Sequence, residues 1–348
     1  MPLTTDQSEL APGILEVDLA AIAANYHTIC ERAPGVNVAA AIKADAYGLG
    51  AGMVIPALAN AGCTDFFVAT VEEGVAARQQ LGDAKIYVLG GVFKGQAPAF
   101  AAFDLIPVLN GFEQARHWRE FAASNSNAGP AMLHVDTGMN RLGMPISDVA
   151  KVMAFQELQI AGIMSHLACA STPDHTQNQS QLTSFQTVTR MMPDVAASLA
   201  NSAGVFLGPD FHFDMVRVGI SLFGGTPQPG SDIPLRPVVT LKARILQERD
   251  VKAGQSVGYE AGWEAPTDRR IATLSAGYAD GFPTTLSNKG HVLIGGQPAP
   301  IVGRVSMDLM TVDVTNIGNH LTMPGHWAEL IGPDLPIDMI ARRADMIS

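Results

Sequence analysis

The sequence predicts an α/β protein, an N-terminal (β/α)8 TIM-like barrel followed by a C-terminal mainly-β domain. Two observations carry the prediction. From about residue 14 to 225, short apolar runs alternate with helix-like stretches, the pattern of parallel strands joined by crossover helices. Past Gly224, a Pro- and Gly-rich link over 226–237 gives way to Val, Ile and Thr runs punctuated by glycine, the pattern of antiparallel strands and turns.

In chain order the barrel strands are expected over 37–43, 65–70, 85–89, 105–109, 131–136, 158–166, 194–200 and 214–222. Eight such repeats suit a closed barrel, whose chemistry belongs on the loops leaving the C-terminal strand ends. The expected boundaries are 14–235 for the barrel and 1–13 plus 236–348 for the β-rich domain, whose clearest strands are VVTLKARIL, HVLIGG and MTVDV. The stretch ILEVDL admits a second reading, as a strand lent to the β-rich domain before the first barrel helix. There is no low-complexity segment and no repeat beyond the β/α alternation.

With 348 residues, 47% hydrophobic and 16% charged, the chain can bury a large core. A formal charge of -11 with 22 Lys and Arg argues against a nucleic-acid partner, since phosphate binding needs a dense basic stripe. A small-molecule role fits better. No Lys or Arg precedes Arg32, so the basic region of a secretory signal is missing, and every apolar run is broken short of a membrane span. The expectation is a cytoplasmic protein without a membrane partner. Cys30, Cys63 and Cys169 show no CxxC spacing, which speaks against a disulfide framework or a metal site, and Cys169 reads as a small buried hydrophobe.

Lys43 ends the first expected strand in AAAIKADAYGLG, where an ammonium is costly to bury unless something uses it. Desolvation lowers an amine's pKa and makes it nucleophilic toward a carbonyl, the activation of a Schiff-base lysine. The competing reading is a lysine that snorkels outward or pairs with Asp45.

AAAIKADAYGLG resembles the cofactor-lysine motif of the alanine racemases. Further stretches follow in that family's order: HVDTGMNRLG with Arg141, MSHLACA with His166, ANSAG with Asn201 and Ser202, FDMVRVGISLFG with Arg217, VGYEAGWEA with Tyr259, AGYADGF with Tyr278, and GRVSMD with Met307 and Asp308. The resemblance runs over residues 14 to 313. It implies pyridoxal 5'-phosphate as cofactor, bonded to Lys43 and contacted by Tyr47, Arg141, His166, Asn201, Ser202, Arg217, Gly219 and Ile220. The hydroxyl of Ser202, the turn at Gly204 and the backbone at Gly219 and Ile220 offer the donors a phosphate requires, although Ser202 and Gly204 also suit an ordinary turn.

The implied activity is interconversion of L- and D-alanine, supplying D-alanine for peptidoglycan. Inverting a stereocentre most simply needs a proton acceptor on each face, and the resemblance assigns Lys43 to the D face and Tyr259 to the L face. A phenol with an ordinary pKa near 10 needs help to ionise, and His166 and Arg217 are the implied neighbours. Tyr259 would come from a partner subunit, which makes a homodimer with shared sites; taken alone it reads as a strand aromatic. Arg217 would face the cofactor's ring nitrogen, donating a hydrogen bond where many related enzymes place a carboxylate. A surface ion pair fits Arg217 poorly, given the apolar run MVRVGI. Arg141 and the Met307 backbone resemble the grip on the substrate carboxylate, and Tyr278 and Arg304 resemble residues of a narrow entrance.

The sequence departs from the family at several positions. His134 stands where a carbamylated lysine often orients the equivalent of Arg141, so a chloride or another hydrogen bond is expected to substitute. Ser171 and Thr284 replace frequently charged positions of the entrance. The sequence stops at Ser348, where family members continue into a strand with a phosphate-contacting tyrosine. The rival readings are a broad-specificity amino-acid racemase, a decarboxylase on the same barrel, a non-catalytic pyridoxal-phosphate carrier and a cofactor-free barrel. Arg217 argues against the decarboxylase and the β-rich domain against the carrier.

Overall fold

The structure, a computed structural model, describes residues 11–347, so the expected placement of the first ten residues lies outside the described part. Two compact units divide the chain: Leu19–Arg236, and the segment ending at Asp18 together with the chain from Pro237 onward. The first strand, β1 (Gly13–Val17), pairs antiparallel with β10 (Val239–Val251). The expected barrel start at residue 14 is thereby corrected to Leu19. The part-exposed side chains of GILEV, none of them fully buried, suit the rim of an antiparallel sheet better than an all-buried barrel strand.

Leu19–Arg236 contains all eight expected barrel strands: β2 (Asn37–Ala41), β3 (Asp65–Val68), β4 (Lys85–Val88), β5 (Leu105–Leu109), β6 (Ala131–His134), β7 (Ile160–Met164), β8 (Ala197–Ser198) and β9 (Met215–Val218). They pair in parallel in the order β8-β7-β6-β5-β4-β3-β2-β9. A bridge between Asn201 and Arg217 closes the ring. Most strands end short of the apolar run that announced them, because the last residues peel away into the loops. β8 is left with only Ala197 and Ser198, its Ala197 amide donating to the Asp214 carboxylate.

Ala39, Phe67, Tyr87, Ile106, Val108, Met132, Met164 and Met215 pack into one cluster, with Phe67 and Tyr87 stacked at 4.5 Å. Ala41 packs against the same cluster. Because side chains alternate along a strand, a residue two positions further on belongs to the same face one layer higher. Two steps beyond Ala41, Val108, Met132, Met164 and Met215 stand Lys43, Asn110, His134, His166 and Arg217. The apolar floor thus hands over to a polar layer at the C-terminal strand ends.

The second unit adds β11 (Ser256–Val257), β12 (Trp263–Glu264), β13 (Arg269–Leu274), β14 (His291–Ile294), β15 (Gln297–Pro300), β16 (Met310–Asp313) and β17 (Trp327–Ile331). Its main sheet runs β15-β14-β17-β10-β13-β16, with β1 also on β10. A register shift between Ile245 and Gln247 lets β10 pair with β1 and β17 along its first half and with β13 along its second. Ile245, Leu274, Leu286, Val292 and Ile294 are fully buried at its core. Among the described residues, no helix is long and apolar enough to cross a membrane.

Candidate active site

Lys43 is half-buried where β2 gives way to a left-handed turn. Ala44, Asp45, Ala46 and Tyr47 all have φ between 53° and 60°. Left-handed backbone costs L-residues roughly 1–2 kcal/mol each, so four in succession persist only where the surroundings fix them. The Ala46 amide donates to the Ile42 carbonyl, and the Gly50 amide to that of Asp45. Asp45 Oδ1 accepts from the Ala51 amide at 2.7 Å, and among the described residues it forms no ion pair with Lys43. The reading of Lys43 as Asp45's partner is set aside.

The turn delivers the Tyr47 ring against Phe223, centroids 4.8 Å apart. A Cβ on Gly219 would sit 2.0 Å from Tyr47 Oη, so only glycine admits the phenol there. Burial pushes the Tyr47 pKa up, keeping the phenol a proton donor. Ser202 Oγ accepts from the Gly219 amide at 3.0 Å and, more weakly, from that of Ser221 at 3.4 Å. The Gly219 amide is thus committed to Ser202, whose own hydroxyl proton is left to donate. Ser221 Oγ is buried without a partner among the described residues. Asn201 Oδ1 accepts from the Gly204 amide and shapes the turn. These hydroxyls, the Ile220 backbone and the glycine cradle fit a phosphate, which accepts hydrogen bonds and donates few.

Arg217, 6% exposed, is held by three strand ends. Its Nη1 donates to the carbonyl and hydroxyl of Ser198, and its Nη2 to the Ser165 carbonyl at 2.6 Å and His166 Nδ1 at 3.4 Å. Burial pushes the guanidinium down to about 9, still on the charged side of neutrality. Burial, then Arg217, Arg141, His134 and Lys43, push His166 down to about 3. These five groups therefore share one electrostatic neighbourhood. Arginine can only donate, so His166 Nδ1 accepts and the neutral ring carries its proton on Nε2.

His134 is neutral too, pushed down to about 4 by burial and then by Arg217. Asn110 gives both its amide hydrogens to the Leu89 and Val108 carbonyls, so its Oδ1 accepts from His134 Nδ1 at 2.7 Å. Arg141 is exposed on the loop that Asp136 ties by accepting from the amides of Gly138, Met139 and Asn140. Its guanidinium has no hydrogen-bond partner among the described residues, which leaves it open to a ligand.

Tyr259, Tyr278, Arg304 and Met307 belong to the β-rich unit. Tyr259 is 70% exposed and lines a cavity of about 670 Å³ with Arg249, Thr273, Arg304 and Ser306. Arg304 pairs with Glu260 through Nη1 and Nη2. The amides of Tyr278 and Ala279 donate to the carbonyls of Ser306 and Met307, which brings Tyr278 and Met307 together.

Sequence reading missed Glu73, Asn110, Ser165, Gln181 and Ser198, all polar residues that position others. One signal was available: Thr70 and Glu73 have the spacing of a helix-capping box at the start of Val71–Arg78.

A parallel eight-stranded barrel with a lysine and a buried arginine at its mouth, followed by an antiparallel domain, defines a two-domain barrel enzyme. The chain belongs to the alanine racemase family, and its activity class is isomerase: residues 17–227 match "Alanine racemase, N-terminal domain" and residues 238–348 match "Alanine racemase, C-terminal domain". An alanine racemase from Rhodospirillum rubrum is 44% identical over 97% of this chain and 92% of its own length. The crystal structure of alanine racemase from Bartonella henselae with covalently bound pyridoxal phosphate superposes with a TM-score of 0.91 at 38% identity, covering 97% of this chain and 95% of that one. The biosynthetic alanine racemase of Pseudomonas aeruginosa gives 0.88 at 35%, covering 97% and 94%.

Proposed function

We propose that this chain interconverts L- and D-alanine in the cytoplasm, using pyridoxal 5'-phosphate held on Lys43, and supplies D-alanine for peptidoglycan. The observation that carries this reading is the convergence of Lys43, His166, Arg141 and a carboxylate-free Arg217 on one barrel mouth. Tyr47, Ser202, Ser221 and the Ile220 backbone would hold the phosphate, with Gly219 contributing the space its missing side chain leaves and an amide that orients Ser202, and Asn201 would keep their turn in shape. When bound, the cofactor supplies an electron-withdrawing ring that makes the substrate's α-proton acidic.

Lys43 and Tyr259 then act as two bases. The Lys43 amine takes or returns the α-proton on the D face, and Tyr259 of a second copy of the chain does so on the L face. Tyr259's exposure suits a phenol that works on another subunit, so the proposal includes a homodimer with shared sites. His166 offers an Nε2 proton that stabilises the phenolate form of Tyr259, while Arg217 fixes the ring through Nδ1. Arg217 would face the cofactor's ring nitrogen as a hydrogen-bond donor that keeps its own proton, so the bound ring would supply only a weak electron sink. The unpartnered Arg141, with the Met307 backbone, would grip the substrate carboxylate, and Tyr278 would line the approach.

Racemisation of alanine, serine, lysine and arginine, measured with and without added pyridoxal 5'-phosphate, tests the proposal. Cofactor-dependent turnover of alanine above the others is expected. Equal rates on all would replace it with a broad-specificity racemase, and failure on all would end it.

A further inference from the structure

We propose that Glu73 is the positioning residue that fixes the turn carrying Lys43 and Tyr47, by taking the place of the missing rung where β2 and β3 part. The proposal rests on the assignment of Lys43 as the cofactor lysine.

The last bond of the β2–β3 ladder runs from the Ile42 amide to the Phe67 carbonyl, 2.9 Å. A parallel ladder would continue with the Ala69 amide donating to the Ile42 carbonyl, and the Ala44 amide to the Ala69 carbonyl. Neither bond forms. The Ile42 carbonyl accepts from Ala46, closing the left-handed turn, and the Ala69 carbonyl accepts from Gly90. That strands the amides of Ala44 and Ala69, and both donate to Glu73, to Oε1 and Oε2 respectively, each at 2.7 Å. One carboxylate thus replaces both bonds of the absent rung.

The helix start explains how Glu73 comes to be there. Thr70 caps Val71–Arg78 by accepting from the Glu73 amide. In a capping box the glutamate would return to the cap residue's own amide. Here it reaches one residue earlier and across to the neighbouring loop, so helix start and lysine turn share one anchor. Only a carboxylate can accept from both amides with one oxygen each; a glutamine has a single acceptor oxygen. Glu73 touches no reacting atom and acts through the backbone of Ala44, next to Lys43, and of Ala69 on the neighbouring loop.

The test uses the cofactor-loaded full chain and compares wild type with Glu73→Gln, Glu73→Ala and the control Glu72→Gln, which removes the same charge from the exposed next-door position. Glu73→Gln is expected to weaken pyridoxal 5'-phosphate binding about tenfold or more, as loss of a charge-assisted bond predicts. It should also shift the absorption band of the Lys43-linked cofactor and lower kcat more than it changes KM for alanine; Glu72→Gln should do none of these. A folded Glu73→Gln protein with wild-type cofactor affinity and band would overturn the proposal. Amide hydrogen exchange on the wild type decides it even if the variants fail to fold: Ala44 and Ala69 should be protected, and rapid exchange at Ala44 rejects the clamp. Borohydride trapping that labels no lysine at position 43 would instead defeat the cofactor assignment.

Discussion

Arg217 on β9 reaches past β8 to donate to the Ser165 carbonyl just beyond β7, 2.6 Å away, and bonds Ser198 of β8 on the way. One guanidinium therefore ties three successive strand ends. It does so with carbonyl and hydroxyl partners and no carboxylate, so its charge remains available to whatever occupies the barrel mouth.

Arg217→Glu should lower alanine racemisation roughly a hundredfold or more, since it replaces a preorganised donor with an acceptor facing two carbonyls. It should also raise the fraction of turnovers ending in pyruvate, because a carboxylate at that point would make the bound cofactor a stronger electron sink. Pyruvate formed per racemisation event measures this, and an unchanged ratio counts against the assigned role of Arg217.

Gly219→Ala should strain the backbone locally, since the pair at this position, φ -128° and ψ -85°, lies outside the regions favoured by residues with a side chain. The added methyl would displace the Tyr47 hydroxyl, so cofactor affinity should fall. Tyr47→Phe removes the atom it meets first, and the two substitutions together should cost less than their sum. Additive losses in pyridoxal 5'-phosphate affinity would mean that the contact between Tyr47 and Gly219 is not what sets the cradle.

What the sequence made legible follows from where each signal resides. The barrel strands were readable because buried parallel strands are continuous apolar runs, and Lys43, His166 and Arg217 because they interrupt such runs at strand ends. The end of β8 was not, and the ownership of β1 stood between two readings, since both depend on partners far along the chain: Ala197 on Asp214, and Gly13–Val17 on Val239–Ala243, the pairing that bears out ILEVDL as a strand of the β-rich unit. The positioning residues hid for a similar reason. A glutamate or glutamine in a helix looks like solvated surface until the fold shows what its side chain reaches.

Gln181 is the clearest such case, fully buried in the helix Thr176–Met191. Its amide nitrogen donates to the His166 carbonyl and Thr137 Oγ1, and its oxygen accepts from the Ala168 amide. Gln181→Met keeps the volume but strands these groups, a cost of roughly 2–3 kcal/mol. Urea titration should show the loss, and KM for cofactor should rise as the His166 loop loosens. A midpoint equal to wild type would mean that the loop is held by other contacts.

Acid stability offers a last test, through His134. Its pKa in the fold, about 4, lies below the ordinary value near 6.5, so the folded protein binds fewer protons than the unfolded chain between those limits. Stability must then fall as pH drops through that window, by about 1.4 kcal/mol per pH unit for each such histidine, and be independent of His134 above it. His166, pushed down to about 3, adds the same sign over a slightly wider range. His134→Gln can still donate to Asn110 but cannot take up a proton. Between pH 6 and 4 the variant's urea midpoint should therefore decline less steeply than wild type, with the two curves parallel from pH 7 upward. Parallel curves across the whole range would mean that His134 takes up its proton at the same pH in the folded protein as in the unfolded chain, contradicting its burial beside two arginines.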